Sequence, residues 1–182
     1  VPPEALPVAR LKEHLRLGSG FADDGVQDGL LAGFLRAAMA AIEGRTGKAL
    51  MAREFRWPRG RARGGVLVLP LAPVGGVAEV ARLDGEGGET VLDAGAWRFE
   101  PDAHAPRVTV AEGGLYRVDF LAGYGPEFDD LPPDLRQAVI LLAAHYHDYR
   151  HDVALSGGCA PFGVTALLER YRLLRVGGGA RA

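Results

Sequence analysis

The sequence predicts an α+β fold, a helical bundle with an inserted antiparallel β unit, closed by a C-terminal helix suited to docking. Three observations predict it. Apolar residues recur at helical spacing across residues 8–47 and again across 131–151. Between 52 and 122 the period drops from 3.6 to 2, and short apolar runs alternate with polar residues. Glycine and proline pairs separate those runs, supplying the backbone angles that turns require.

The first helix is read from Val8 to Leu17, with Leu11 and Leu15 on one face. Gly18-Ser19-Gly20 ends it, and Asp23 or Asp24 offers a carboxylate to the free N–H groups of the next helix. That helix runs to about Arg45 and stops at Gly47. Its apolar residues, among them Leu30, Leu31, Phe34, Leu35, Met39 and Ile42, cover more than one stripe. A helix apolar over most of its circumference is buried on several sides, here by its own bundle and by a neighbouring subunit.

Six strands are expected in the β unit: 54–57, 66–69, 77–83, 97–99, 107–110 and 116–121. Helix returns after Leu131-Pro132-Pro133, because proline suits a first turn whose N–H groups are unpaired anyway. Asp134 complements the positive end of that helix. A last helix is expected over 164–174, and residues 177–182 form a flexible glycine-led tail behind a single domain of residues 1–176.

The chain has 182 residues, 21 basic and 23 acidic, for a net charge of 21 − 23 = −2. A near-neutral protein does not grip nucleic acid with its whole surface, although a local basic patch is compatible with that balance. The single cysteine, Cys159, excludes an internal disulfide and a four-cysteine zinc site. The N-terminal Val1-Pro2-Pro3-Glu4 lacks the order of a signal peptide, and no apolar run approaches the ~20 residues of a membrane span. A soluble, cytoplasmically made protein without membrane partners is expected.

Chemistry is sparse. His147 and His151 share a helix face at i, i+4, a spacing that can hold a divalent ion and so supports a small metal-dependent hydrolase as one alternative. The zinc-protease glutamate is missing, however, and no second cluster supplies a third ligand. A polar helix end, where histidine and Arg150 meet the negative dipole, accounts for the same residues. Ser19, Ser156 and Cys159 lie in glycine-bearing loops, none in a nucleophile elbow. No catalytic residue, metal site or cofactor is expected. One basic cluster does stand out: Arg53, Arg56, Arg59, Arg61 and Arg63, interrupted only by Glu54. It reads as a solvated hairpin tip in a monomer, or as a phosphate- or partner-contacting loop in an assembly around DNA. A free-standing nucleic-acid-binding module built on Arg53–Arg63 is the second alternative.

Several stretches together resemble a known family. They are Leu11-Lys12-Glu13-His14-Leu15-Arg16-Leu17, Asp23-Asp24 opening a long helix, and Ile42-Glu43-Gly44-Arg45-Thr46-Gly47-Lys48-Ala49-Leu50. Leu69-Pro70-Leu71-Ala72-Pro73-Val74, Phe120-Leu121-Ala122-Gly123-Tyr124-Gly125, Leu131-Pro132-Pro133-Asp134-Leu135 and Pro161-Phe162-Gly163-Val164 continue the match. In this order they resemble the phage head–tail connector (adaptor) proteins, most of all the adaptor of gene transfer agents. The resemblance implies a structural role in the neck of a phage-like particle assembled in the bacterial cytoplasm. It implies a ring of about twelve copies below the portal protein, a tail-side stopper or tail terminator as further partner, and DNA passing through the channel. On that footing Phe162, Val164, Leu167, Leu168, Tyr171 and Leu174 are expected to bind portal, with Leu167, Leu168, Tyr171 and Leu174 exposed in a monomer. Leu30, Phe34, Leu35 and Met39 are expected at the subunit interface, and Arg56, Arg59, Arg61 and Arg63 against DNA or a partner.

Overall fold

Two separate hydrophobic cores organise the chain, one helical and one β. The computed structural model describes residues 5–17, 25–150 and 161–172. Helices α1 (Val8–His14) and α2 (Gly25–Thr46) come first, then seven strands: β1 (Arg53–Ala62), β2 (Val66–Val68), β3 (Val74–Leu83), β4 (Glu89–Val91), β5 (Trp97–Glu100), β6 (Arg107–Val110) and β7 (Gly114–Ala122). A 3-10 turn at Phe128–Asp130, helix α3 (Pro133–Asp148), helix α4 (Phe162–Leu168) and a final 3-10 turn at Glu169–Tyr171 complete the order. The α+β class and the bundle-plus-insertion architecture are as the sequence predicts.

In the helical half, α3 lies centrally against α1, α2 and α4. Leu11, Leu31, Leu35, Ile42, Leu135, Val139 and Leu168 are fully or almost fully buried in this core. Asp129 fixes its outer rim by pairing with Arg10 of α1 (2.6 Å) and Arg136 of α3 (2.8 Å). Those two guanidinium groups hold the Asp129 carboxyl below its ordinary value.

The β half consists of a four-stranded sheet in the order β1-β7-β3-β4 and a three-stranded sheet in the order β2-β6-β5, all antiparallel. Tyr116, Val118 and Phe120 of β7 share one core with Leu67 of β2 and Val108 and Val110 of β6. Seven strands replace the expected six. The added one, β4, is three residues long and wholly exposed, so it carries no apolar alternation. Strand β1 also runs further than expected, straight through Pro58. It tolerates that proline because it is an edge strand and because a bulge lies there: Trp57 pairs with Val118, but Gly60 pairs with Tyr116. Gly64 and Gly65, at φ 57° and 76°, supply the two left-handed positions of the hairpin turn into β2.

The halves meet where the chain enters and leaves the β unit. Met51 bridges Gly125, the Ala52 N–H donates to the Gly125 carbonyl (2.7 Å), and the Tyr124 N–H donates to the Leu50 carbonyl (3.0 Å). A Cβ on Gly123 would lie 2.4 Å from the Ala52 backbone, which only glycine avoids. Glu43 of α2 ties the same junction by accepting the Leu50 N–H (2.8 Å) and both terminal nitrogens of Arg53 (3.0 and 2.9 Å). Lys48, only 1% exposed, reaches the β5–β6 loop, where its ammonium donates to the Ala103 carbonyl and lies 3.1 Å from His104 Nδ1. Burial lowers the Lys48 pKa from its ordinary value.

Candidate assembly surfaces

Three surfaces bear on what the chain can bind. The first is the C-terminal helix. Pro161 precedes α4, and the helix turns Val164 and Leu168 onto the bundle, followed by Tyr171 from the last turn. The Tyr171 hydroxyl donates to Asp134 Oδ1 (2.7 Å), and Arg170 bridges to the other Asp134 oxygen (2.9 Å) and to the hydroxyl (2.7 Å). This overturns the expected exposure of Leu168 and Tyr171: together with Val164 they close the chain's own core. The physical reason is that α3 presents an unsatisfied apolar flank and a first-turn carboxylate, and α4 covers both. Phe162 is 88% exposed and Leu167 half-buried, so those two remain available to a partner. Leu174 lies outside the described residues. Nearby, burial and the adjacent Tyr171 and Asp134 push the Tyr124 pKa up to about 12.

The second surface is α2. Leu35 and Met39 are buried inside the chain's own helical core, which corrects their expected place at a subunit interface. The helix satisfies its broad apolar face mainly within the bundle, since α1 and α3 both pack on it. Leu30 is 49% exposed, and Phe34 is half-buried with its ring edge-on to His147, 6.1 Å between centroids. His147 also sits 3.2 Å from Asp148. Its proposed co-ligand His151 lies outside the described residues, as do Ser19, Ser156 and Cys159. Among the described residues no group of three or more metal-ligating side chains converges, and no helix is long and apolar enough to cross a membrane.

The third surface is the outer face of the four-stranded sheet. The β1 bulge inserts one residue, so outward positions shift from Glu54 and Arg56 before it to Arg59, Arg61 and Arg63 after it. The arginine spacing therefore lands on one solvent face. Arg56 is taken by Asp119 through two hydrogen bonds (2.9 and 3.0 Å), and Arg53 by Glu43. Arg59, Arg61 and Arg63 are exposed and have no acidic partner among the described residues.

Beside them sits a residue that sequence reasoning missed. Arg117 of β7 is 8% exposed and bonds Glu89 of β4 (2.8 Å), Glu79 of β3 (2.5 Å) and Asp119. These carboxylates raise its pKa from the ordinary arginine value. The signal was present in Arg117 and Asp119 alternating outward on a strand, but their partners lie on strands 28 and 38 residues away in sequence. Such fork geometry fixes the three strands against one another.

The chain is similar over nearly its whole length to chains in solved structures. Over 100% of this chain and 96% of the other, it is 48% identical to a protein in the neck of an empty gene transfer agent particle computed with C6 symmetry, with TM-score 0.84. A chain in the virion of a native gene transfer agent particle is 48% identical over 98% of this chain and 95% of the other, with TM-score 0.81. A chain in the neck of the native particle, computed with C12 symmetry, is 42% identical over 100% and 96%, with TM-score 0.78. This chain belongs to the head–tail adaptor-like neck proteins of gene transfer agent particles. No family model matches the chain, and no curated protein does. For a neck protein, the three surfaces are candidates for assembly contacts, with two of them reduced from their expected extent.

Proposed function

We propose that this chain is a structural, non-catalytic head–tail adaptor that forms a ring, of twelve copies, in the neck of a phage-like particle. The ring lies below the portal protein and passes DNA through its channel towards a tail-side stopper or tail terminator. One observation carries the reading: near-full-length similarity, at 42–48% identity, to chains in gene transfer agent necks computed with C6 and C12 symmetry. The surfaces are compatible with it. Phe162 and Leu167 are the portal-facing anchors, Leu30 and Phe34 the apolar part of the subunit contact, and Arg56, Arg59, Arg61 and Arg63 the charged surface for DNA or a partner. Assembly takes place in the bacterial cytoplasm before particles are released.

The test uses tagged full-length chain in producing cells, with electron microscopy of purified particles. Label at the junction of head and tail is expected, in up to twelve copies. Phe162→Asp, which removes an exposed ring without touching the core, is expected to leave the protein folded and to abolish its attachment to portal-bearing capsids. Label elsewhere on the particle, or none, refutes the adaptor reading. Normal attachment of the Phe162→Asp chain refutes the docking assignment alone.

A further inference from the structure

Resting on the ring reading, we infer that the two edges of the four-stranded sheet are the two halves of one contact between neighbouring copies of this chain. A ring closed by rotation uses a heterologous interface, in which two different patches of each subunit are complementary. Strands β1 and β4 are the opposite edges of one sheet. Residues 53–63, at the β1 edge, carry five arginines and one glutamate, 5 − 1 = +4. Residues 84–93, which form β4 and the turns on either side of it, carry Asp84, Glu86, Glu89 and Asp93 with no basic residue, or −4.

The register aligns these charges. Arg61 pairs with Leu115, Leu115 with Leu83, and Leu83 with Glu89, so a basic and an acidic residue end the same row across the sheet. Three strand spacings separate them, roughly 14 Å at about 4.8 Å each. Rotation about an axis preserves height along it. Such a contact requires strands running near the ring axis, so that the basic edge of one copy faces the acidic edge of the next at one level.

Both edges keep charge in reserve. Arg53 and Arg56 are neutralised within the chain, whereas Arg59, Arg61 and Arg63 have no acidic partner among the described residues. On the other edge Glu89 serves Arg117, and Asp84 accepts the N–H groups of Glu86 and Gly88. Glu86 and Asp93 are exposed and face solvent. Pro58 and the bulge blunt β1 against backbone pairing, so the contact is made by side chains and not by an added strand. A DNA-facing role would explain the arginines but would leave the exposed Glu86 and Asp93 of the opposite edge unexplained.

The test is a charge swap in the full-length chain, expressed as the only copy in producing cells and read as neck occupancy in purified particles. Arg59→Glu with Arg61→Glu and Arg63→Glu is expected to lower occupancy by roughly tenfold or more, because like charges then meet. Glu86→Arg with Asp93→Arg is expected to do the same, and the chain carrying all five changes to recover occupancy. A second measurement is independent of any folding loss: Arg61→Cys combined with Glu86→Cys is expected to give a ladder of disulfide-linked copies in oxidised particles. Wild-type occupancy by both reversals overturns the inference, as does failure of both rescue and ladder, which would assign the arginines to DNA or another partner. Absence of the unaltered chain from the neck overturns the ring reading itself.

Discussion

In the helical half of this neck protein the apolar residues close on each other; in the β half, charged residues are left on display. Leu35, Met39, Val164 and Leu168 have the residue types of an interface, yet each is enclosed by its own chain. Arg59, Arg61 and Arg63 have the types of an ordinary solvated strand, yet among the described residues no acid answers them. The difference teaches that apolar excess on a helix is poor evidence of a partner when a short third or fourth helix is free to cover it. Uncompensated charge on a rigid sheet is better evidence, since a sheet cannot fold over to neutralise its own edge.

The comparison can be broken most sharply at α2. Leu35→Ala is expected to destabilise the isolated chain by about 3 kcal/mol, the cost of a buried leucine and the cavity it leaves. Leu30→Ala, five residues earlier on the same helix and half-exposed, is expected to stay within about 0.5 kcal/mol. Thermal unfolding of the two variants checks both values, and similar costs would mean that α2 does not separate core from surface as described.

A smaller effect is expected where α4 is fastened. Tyr171→Phe removes the hydroxyl that donates to Asp134 and keeps the ring, so a loss of about 1 kcal/mol is expected. Hydrogen exchange should then quicken in α4 before it does in α2. Equal protection of α4 in the variant and in the unaltered chain would mean that apolar contacts alone hold the helix.

The smallest effect is a pH dependence at the rim of the helical core. Asp129 is held below its ordinary value of 3.8 by Arg10 and Arg136, so it contributes stability above that value and loses it as pH falls through the lower folded value. Asp129→Asn is expected to lower the melting temperature slightly at pH 7 and by progressively less in acid, as the carboxyl takes up its proton. An equal difference at pH 7 and in acid would point to shape instead of charge.

Helices were legible because their apolar spacing repeats over many residues. The central strands were legible for the same reason: Val108 and Val110, then Tyr116, Val118 and Phe120, alternate cleanly. Strand β4 was not, since all three of its residues face solvent. Pro58 hid the far half of β1, because a bulge that accommodates proline depends on the register of β7 and leaves no mark in β1 itself. Burial of α4 was hidden too: its apolar face is visible in sequence, but whether α3 or another protein receives it is decided by a carboxylate 37 residues away. The burial of Lys48 left no mark in the sequence, since the loop at Ala103 and His104 that covers it lies 55 residues away. The arginine cluster was legible as charge, but the acidic edge that matches it becomes visible only once the strand order is known.

The paired crossing between the two cores has a mechanical consequence. A lone tether would let the β unit swivel, but the entering strand at Leu50–Ala52 and the leaving strand at Tyr124–Gly125 are bonded side by side. Bonded chains resist twist as a strut does, and Glu43 and Lys48 brace that strut from either side. Load applied to the sheet is therefore delivered to α2 and, through the segment after Gly125, to α3 at the same moment.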